Sequence, residues 1–221
     1  MSSMTTKNKR FFIPFVGSEY STGINGKKVL VLGASFYCLK EDCDFYRECT
    51  SYVKKDSSTH NYDCPCKDGD ELRNQPTDTP NNRVYSTFIK SLQQLIEIKV
   101  DAWERVAFTN YVQFYVPTQN TYECYLSDRD FEAFIETVKE LQPDVVVVWG
   151  AVINKPIRDS TYVINKREVI DTGGYLWHLE GIPEVNHRIT VVNCYHPSSI
   201  RYWYQDIDIF MGYLRQALEI E

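Results

Sequence analysis

A histidine at position 196 stands where a strand is expected to meet a helix, a place suited to chemistry. Residues 191–192 are both valine and favour a strand, while Pro197 cannot donate to a sheet ladder, so we expect the strand to end at His196. Ser198 and Ser199 can cap a helix that follows. Ligands bind at such strand ends in open α/β sheets. His196 is therefore a candidate for binding or catalysis; the alternative is a strand-end residue that only bonds its neighbours.

Three further apolar runs end in residues that suit a site. Residues 29–32 run into Gly33, residues 106–112 contain Asn110, and residues 145–148 end at Gly150. Parallel strands bring their carboxyl ends to one edge of a sheet. We therefore expect one crevice lined by side chains from several strand ends: Ser35, Tyr37, Asn110 and His196. Each of these residues, taken alone, could equally be structural.

The elements that must position these residues alternate between strand and helix patterns. Apolar residues at helical spacing predict helices around residues 84–95, 128–141 and 207–218, and Ser127 with Asp130 three places on predicts a helix cap. Residues 151–188 are expected to form a short helix and a hairpin. This alternation predicts an α/β fold, with three α/β/α layers and a central, mainly parallel, four-stranded sheet.

Composition indicates one domain and argues against some partners. The 221 residues are 43% hydrophobic, enough for a single core spanning residues 1–221. The net charge of -6 argues against non-specific binding to nucleic-acid phosphates and against a basic membrane face. No segment has the apolarity of a membrane span or a signal core. Seven cysteines without an export signal lead us to expect a reducing, cytoplasmic location.

A cysteine-rich insertion at about residues 38–80 offers a second set of chemical groups. It holds five thiols, with His60 among them: Cys38, Cys43, Cys49, Cys64 and Cys66. Thiolates and imidazole suit zinc or an iron–sulfur cluster, which would order a polar insertion. The spacing lacks the paired C-x-x-C of zinc ribbons and fingers. The alternative is a loop with free thiols.

The order of four motifs resembles that of the uracil-DNA glycosylase superfamily. These motifs are residues 33–38 after the first strand, Thr109-Asn110 after the second, residues 142–150 (Gln-Pro-Asp, four valines, Trp-Gly), and His196-Pro197-Ser198-Ser199 after the last. The resemblance extends from about Lys28 to the end of the chain. It implies the fold of that superfamily and hydrolysis of the N-glycosidic bond of uracil or a related damaged base in DNA, with no cofactor required.

The resemblance also implies roles for individual residues. Asn110 would read the edge of the base, and a neutral His196 would donate to a base oxygen as negative charge grows there. Tyr37 or Phe36 would stack on the base, which must leave the duplex. The segment after the histidine would contact DNA, with Ile200, Arg201 or Tyr202 filling the gap left by the base, or Arg201 binding phosphate: Ser198, Ser199, Ile200 and Arg201. We expect a monomer that binds single- or double-stranded DNA and no membrane.

The first motif departs from the superfamily pattern. Family members commonly place Asp, Asn or Glu after the first strand to position water, whereas this chain has Ala34 and Ser35. A serine can hold a water molecule but cannot act as a carboxylate base. Acidic residues of the insertion could substitute, or could be solvated surface charges: Glu41, Asp42 and Asp44. Three alternatives therefore stay open: an enzyme that relies on His196 and Asn110, an inactive binder of nucleic acid or nucleobases, and a metal-containing hydrolase of a nucleoside or small molecule.

Overall fold

A computed structural model describes residues 10, 12–37, 83–96, 101–113, 115–116, 126–199 and 207–220. The cysteine-rich insertion, Ile200 to Tyr202, and Cys124 lie outside these residues, as do the predictions that concern them. No helix within the described ranges combines the length and the apolarity needed to cross a bilayer.

A mixed sheet of seven strands forms the centre of the molecule. Its strands are β1 (Phe15–Val16), β2 (Val29–Gly33), β4 (Val106–Asn110), β6 (Val145–Trp149), β7 (Val163–Ile164), β8 (Leu176–Leu179) and β9 (Ile189–Cys194). Their order across the sheet is β1-β4-β2-β6-β9-β8-β7. The neighbours β4, β2, β6 and β9 are mutually parallel, and β1, β8 and β7 pair antiparallel. A separate parallel pair joins β3 (Phe36–Tyr37) to β5 (Tyr115–Val116).

The α/β class agrees with the sequence prediction, but the expected four-stranded sheet is too small. The three added strands lie at the two edges of the sheet. Two of them, β1 and β7, have only two residues each, which is too short for an alternating pattern to emerge. The hairpin expected within residues 151–188 exists as β7 and β8, and it extends the sheet because β8 pairs with β9.

Helices cover both faces of the sheet. They are α1 (Arg83–Ile96), α2 (Asp128–Leu141), α3 (Ala151–Arg158), α4 (Lys166–Asp171) and α5 (Ile207–Ala217), with a 3₁₀ turn at Ala102–Arg105. In β2, Leu30 and Leu32 pack into the core shared with α2, α3 and α4, while Val29 and Val31 pack into the core shared with α1 and α5. Burial on both faces explains the unbroken apolar run, and each such side chain stabilises the fold by about 1.5–3 kcal/mol.

The predicted cap of α2 is present. Asp130 accepts hydrogen bonds from the backbone N–H and the hydroxyl of Ser127, both at 2.9 Å. The helix ends where Gln142 adopts a left-handed conformation just before Pro143. The capping carboxylate is 2% exposed and also bonds outside its helix, so the cap helps to hold the neighbouring strand end.

Candidate functional site

The carboxyl ends of the four parallel strands meet at one edge of the sheet. Gly33 pairs with Asn110 across β2 and β4, Leu32 pairs with Val148 across β2 and β6, and β9 reaches the same level beside β6. His196 lies two residues beyond the end of β9. Asn110 and His196 thus lie on either side of the two central strands, β2 and β6. Their own strands, β4 and β9, are three strand spacings apart, which is about 14 Å.

The Asn110 side chain lies across the end of β2. A Cβ atom built on Gly33 would stand only 2.3 Å from Asn110 Oδ1, so the amide occupies the space that a larger residue at position 33 would need. Asn110 is 3% exposed, and no described residue hydrogen-bonds to its side-chain amide. A buried amide in this condition keeps both a donor and an acceptor for a ligand.

A buried network that the sequence analysis missed holds the backbone of this loop. Gln113, 3% exposed, donates from Nε2 to the Asn110 carbonyl at 2.6 Å and accepts from the Phe12 N–H at 3.1 Å. Its own N–H donates to Asp130 Oδ1 at 2.8 Å. The cap of α2 and the residues after β4 are therefore one rigid unit. The sequence signal for Gln113 was weak, because one polar residue after a strand ordinarily indicates a loop.

The His196 ring is held in a defined protonation pattern. Its Nδ1 atom accepts from the Ser198 N–H at 3.3 Å and lies 2.7 Å from the Ser198 hydroxyl. Because a backbone N–H can only donate, Nδ1 is unprotonated and the neutral ring carries its proton on Nε2. Burial lowers the pKa of His196, which favours this neutral form. The ring stands edge-on to Trp149, with 6.0 Å between centroids.

The segment after β2 folds over the segment after β4. Phe36 pairs with Tyr115 in the small β3–β5 sheet, and its ring meets Phe12 edge to face at 4.9 Å. The hydroxyl of Ser35 is buried and has no hydrogen-bond partner among the described residues. Tyr37 is the second residue of β3, and its side chain lies outside the described part of the structure. Ser35, Phe36 and Asn110 are thus brought together on the β4–β2 side of the edge.

The remaining predicted residues divide into two groups. Ser198 and Ser199, expected to contact DNA, form a turn in which Ser198 bonds the histidine ring and the Ser199 N–H donates to the His196 carbonyl at 2.7 Å. Ile200, Arg201 and the five insertion cysteines lie outside the described residues. Within the part of the chain that is described, no three His, Cys, Asp or Glu side chains gather as metal ligands would. Cys194 is a buried free thiol whose pKa is raised by burial, as suits a core residue.

Replacing Gly33 with alanine is expected to displace the Asn110 amide. The added Cβ would collide with Asn110 Oδ1 at 2.3 Å and crowd the Phe108 ring at 3.0 Å. Overpacking of this kind costs about 1–3 kcal/mol of unfolding free energy. Chemical denaturation measures the cost, and the side-chain NH₂ resonances of Asn110 report the displacement. The matched control is Gly212→Ala in α5, where a Cβ meets open space. Unchanged stability and unchanged Asn110 resonances in Gly33→Ala would show that the amide does not lie over β2.

Comparison with models of known protein families gives no match for this sequence, and comparison with curated protein sequences gives none either. The functional assignment therefore depends on the residues at the sheet edge and on their geometry.

Proposed function

We propose that this protein is a DNA glycosylase that hydrolyses the N-glycosidic bond of uracil or a related damaged base. The observation that carries the proposal is the buried Asn110 amide, which lacks a hydrogen-bond partner among the described residues and shares a sheet edge with a neutral histidine. We further propose that β4, β2, β6 and β9, with helices on both faces, correspond to the core of the uracil-DNA glycosylase superfamily. The substrate is DNA, bound by one copy of the chain.

Asn110 and His196 supply complementary parts of the reaction. The base must leave the stack to reach a pocket at this edge. The Asn110 amide offers one donor and one acceptor, which match the adjacent C=O and N–H of uracil. As the C1′–N bond breaks through an oxocarbenium-like state, negative charge grows on the base oxygens. The Nε2–H of neutral His196 donates to one of these oxygens and stabilises the departing base.

Water must then add to C1′, and the proton that it loses passes to the departed base anion, which leaves as the neutral base. The buried Ser35 hydroxyl, without a partner among the described residues, suits a group that holds this water. It lacks the basicity of a carboxylate, so most of the rate enhancement comes from stabilising the leaving base. Phe36, fixed against Phe12, provides an aromatic surface beside the same strand end.

A second candidate is a binder of nucleic acid or nucleobases that does not catalyse. It is favoured by one observation, namely that Ala34 and Ser35 stand where a water-activating carboxylate would be expected. In that case Asn110 and His196 would recognise a base without cleaving its bond.

The direct test is cleavage of uracil-containing single- and double-stranded oligonucleotides, read as abasic sites on a gel. We expect the wild-type protein to produce them and His196→Ala to lose about 10²- to 10³-fold in rate, since it removes the donor to the base oxygen. The matched control is His187→Ala, because His187 bonds the Pro143 carbonyl at the opposite edge of the sheet. Binding without abasic product supports the second candidate, and full activity of His196→Ala removes the histidine from the mechanism.

Introducing a carboxylate at position 35 is expected to accelerate hydrolysis. Ser35→Asp places a general base where the buried hydroxyl now lies, and such a base contributes about 10²-fold or more when well placed. Single-turnover rates on uracil DNA measure the gain. Ser35→Asn is the control of equal size without a base. If Asp and Asn give the same rate, the water lies elsewhere.

The glycosylase rate is expected to hold as pH falls through the usual histidine range. The mechanism needs neutral His196, and burial lowers the pKa of this ring from its ordinary value of 6.5. Protonation, and with it the loss of activity, should therefore occur only at a pH below 6.5. The pH profile of the single-turnover rate should coincide with the NMR titration of the His196 ring protons. A midpoint above 6.5 in either measurement contradicts this assignment.

A further inference from the structure

A polar cavity opens at the same sheet edge, on the other side of β9 from Asn110. It has a volume of about 160 Å³ and is lined by one face of α3, the end of β9 and the loop before β8. Ala151, Asn154 and Arg158 repeat at helical spacing and so share that face of α3. Tyr195, which precedes His196, is also part of the lining, so the cavity adjoins the candidate site.

Two asparagine side chains line this cavity. Asn154 is 3% exposed, and Asn193 is the second-last residue of β9. The Oδ1 atoms of both are buried with no partner among the described residues. Buried polar groups are ordinarily satisfied, so a pair of unsatisfied amide oxygens beside one cavity favours a polar occupant over an apolar one.

The size and charge of the cavity restrict that occupant. A cavity of about 150 Å³ takes a single benzene-sized ring. The inner walls carry neutral amides, each with a donor and an acceptor, which suit a neutral ring bearing both C=O and N–H groups better than a desolvated anion. The positive charge in the lining belongs to Arg158. Its side chain is 40% exposed, so it lies at the rim, and it forms an ion pair with Asp159 at 3.4 Å. A pyrimidine nucleotide meets both conditions, because its neutral ring would lie inside the cavity and its anionic phosphate would lie at the rim.

We propose that this cavity is a second base subsite, which takes the pyrimidine ring of an unpaired nucleotide on the Asn154 and Asn193 amides, with its phosphate at Arg158. The proposal rests on the proposed function in naming DNA as the source of the nucleotide. In that setting the subsite holds a neighbour of the extruded base, and His196 lies between the two rings.

The test is an NMR titration of the full-length, ¹⁵N-labelled protein with thymidine and with thymidine 3′-monophosphate. Thymidine should shift the side-chain NH₂ resonances of Asn154 and Asn193, and Asn154→Leu or Asn193→Leu should weaken its binding about tenfold. The matched control, Asn186→Leu, changes an exposed asparagine at the opposite edge and should bind normally. Arg158→Gln should abolish only the added affinity of the monophosphate.

The outcomes separate this subsite from the glycosylase proposal. Thymidine binding should survive in His196→Ala and Asn110→Ala. If the protein fails to cleave uracil DNA but thymidine still shifts both amides, the glycosylase proposal fails and the subsite stands as a pyrimidine site. If uracil DNA is cleaved but thymidine shifts neither amide, or binds equally well to both leucine variants, the cavity holds water alone and the subsite is overturned.

Discussion

Parallel pairing of β2 with its neighbours β4 and β6 places the strand ends at one level, and the candidate chemistry depends on that alignment. The pairing continues past the strands, where the Tyr111 N–H donates to the Gly33 carbonyl at 2.9 Å and the Val112 N–H donates to the Ala34 carbonyl at 3.0 Å. A slip of one residue in β4 would turn Asn110 to the other face of the sheet. Such a slip is opposed by the two cores, because every residue of β2 and β4 is buried.

Different hydrogen bonds fix the chain at Asn110 and at His196, which lie on opposite sides of this sheet edge. At Asn110 the loop is rigid, since Gln113 links the asparagine carbonyl, the Phe12 N–H and the capping carboxylate Asp130. At His196 a short turn serves instead, and the Ser198 N–H selects the ring tautomer by donating to Nδ1. One side therefore presents a bifunctional amide on a fixed backbone, and the other presents a single donor, Nε2–H. This asymmetry fits a planar ring that is read on one side and polarised on the other.

Features that depend on regular patterns could be predicted from the sequence, and features that depend on single long-range contacts could not. The apolar runs at 29–32 and 145–148 predicted buried parallel strands because burial on both faces removes alternation. The Ser127–Asp130 spacing predicted the cap because capping is local. The edge strand β1 was missed because two residues carry no period. Gln113, Asn154 and Asn193 went unrecognised, since their surroundings arise only when distant segments pack together.

The central claim is that one small ring contacts Asn110 and His196 at the same time, and an NMR titration tests it most directly. Free uracil would be titrated into the ¹⁵N-labelled protein while the Asn110 side-chain amide and the His196 ring nitrogens are followed by NMR. We expect both sets of resonances to shift along one binding curve, with Nε2 remaining protonated and Nδ1 unprotonated. Shifts at Asn110 without shifts at His196, or a ring protonated on Nδ1, would contradict a shared base site.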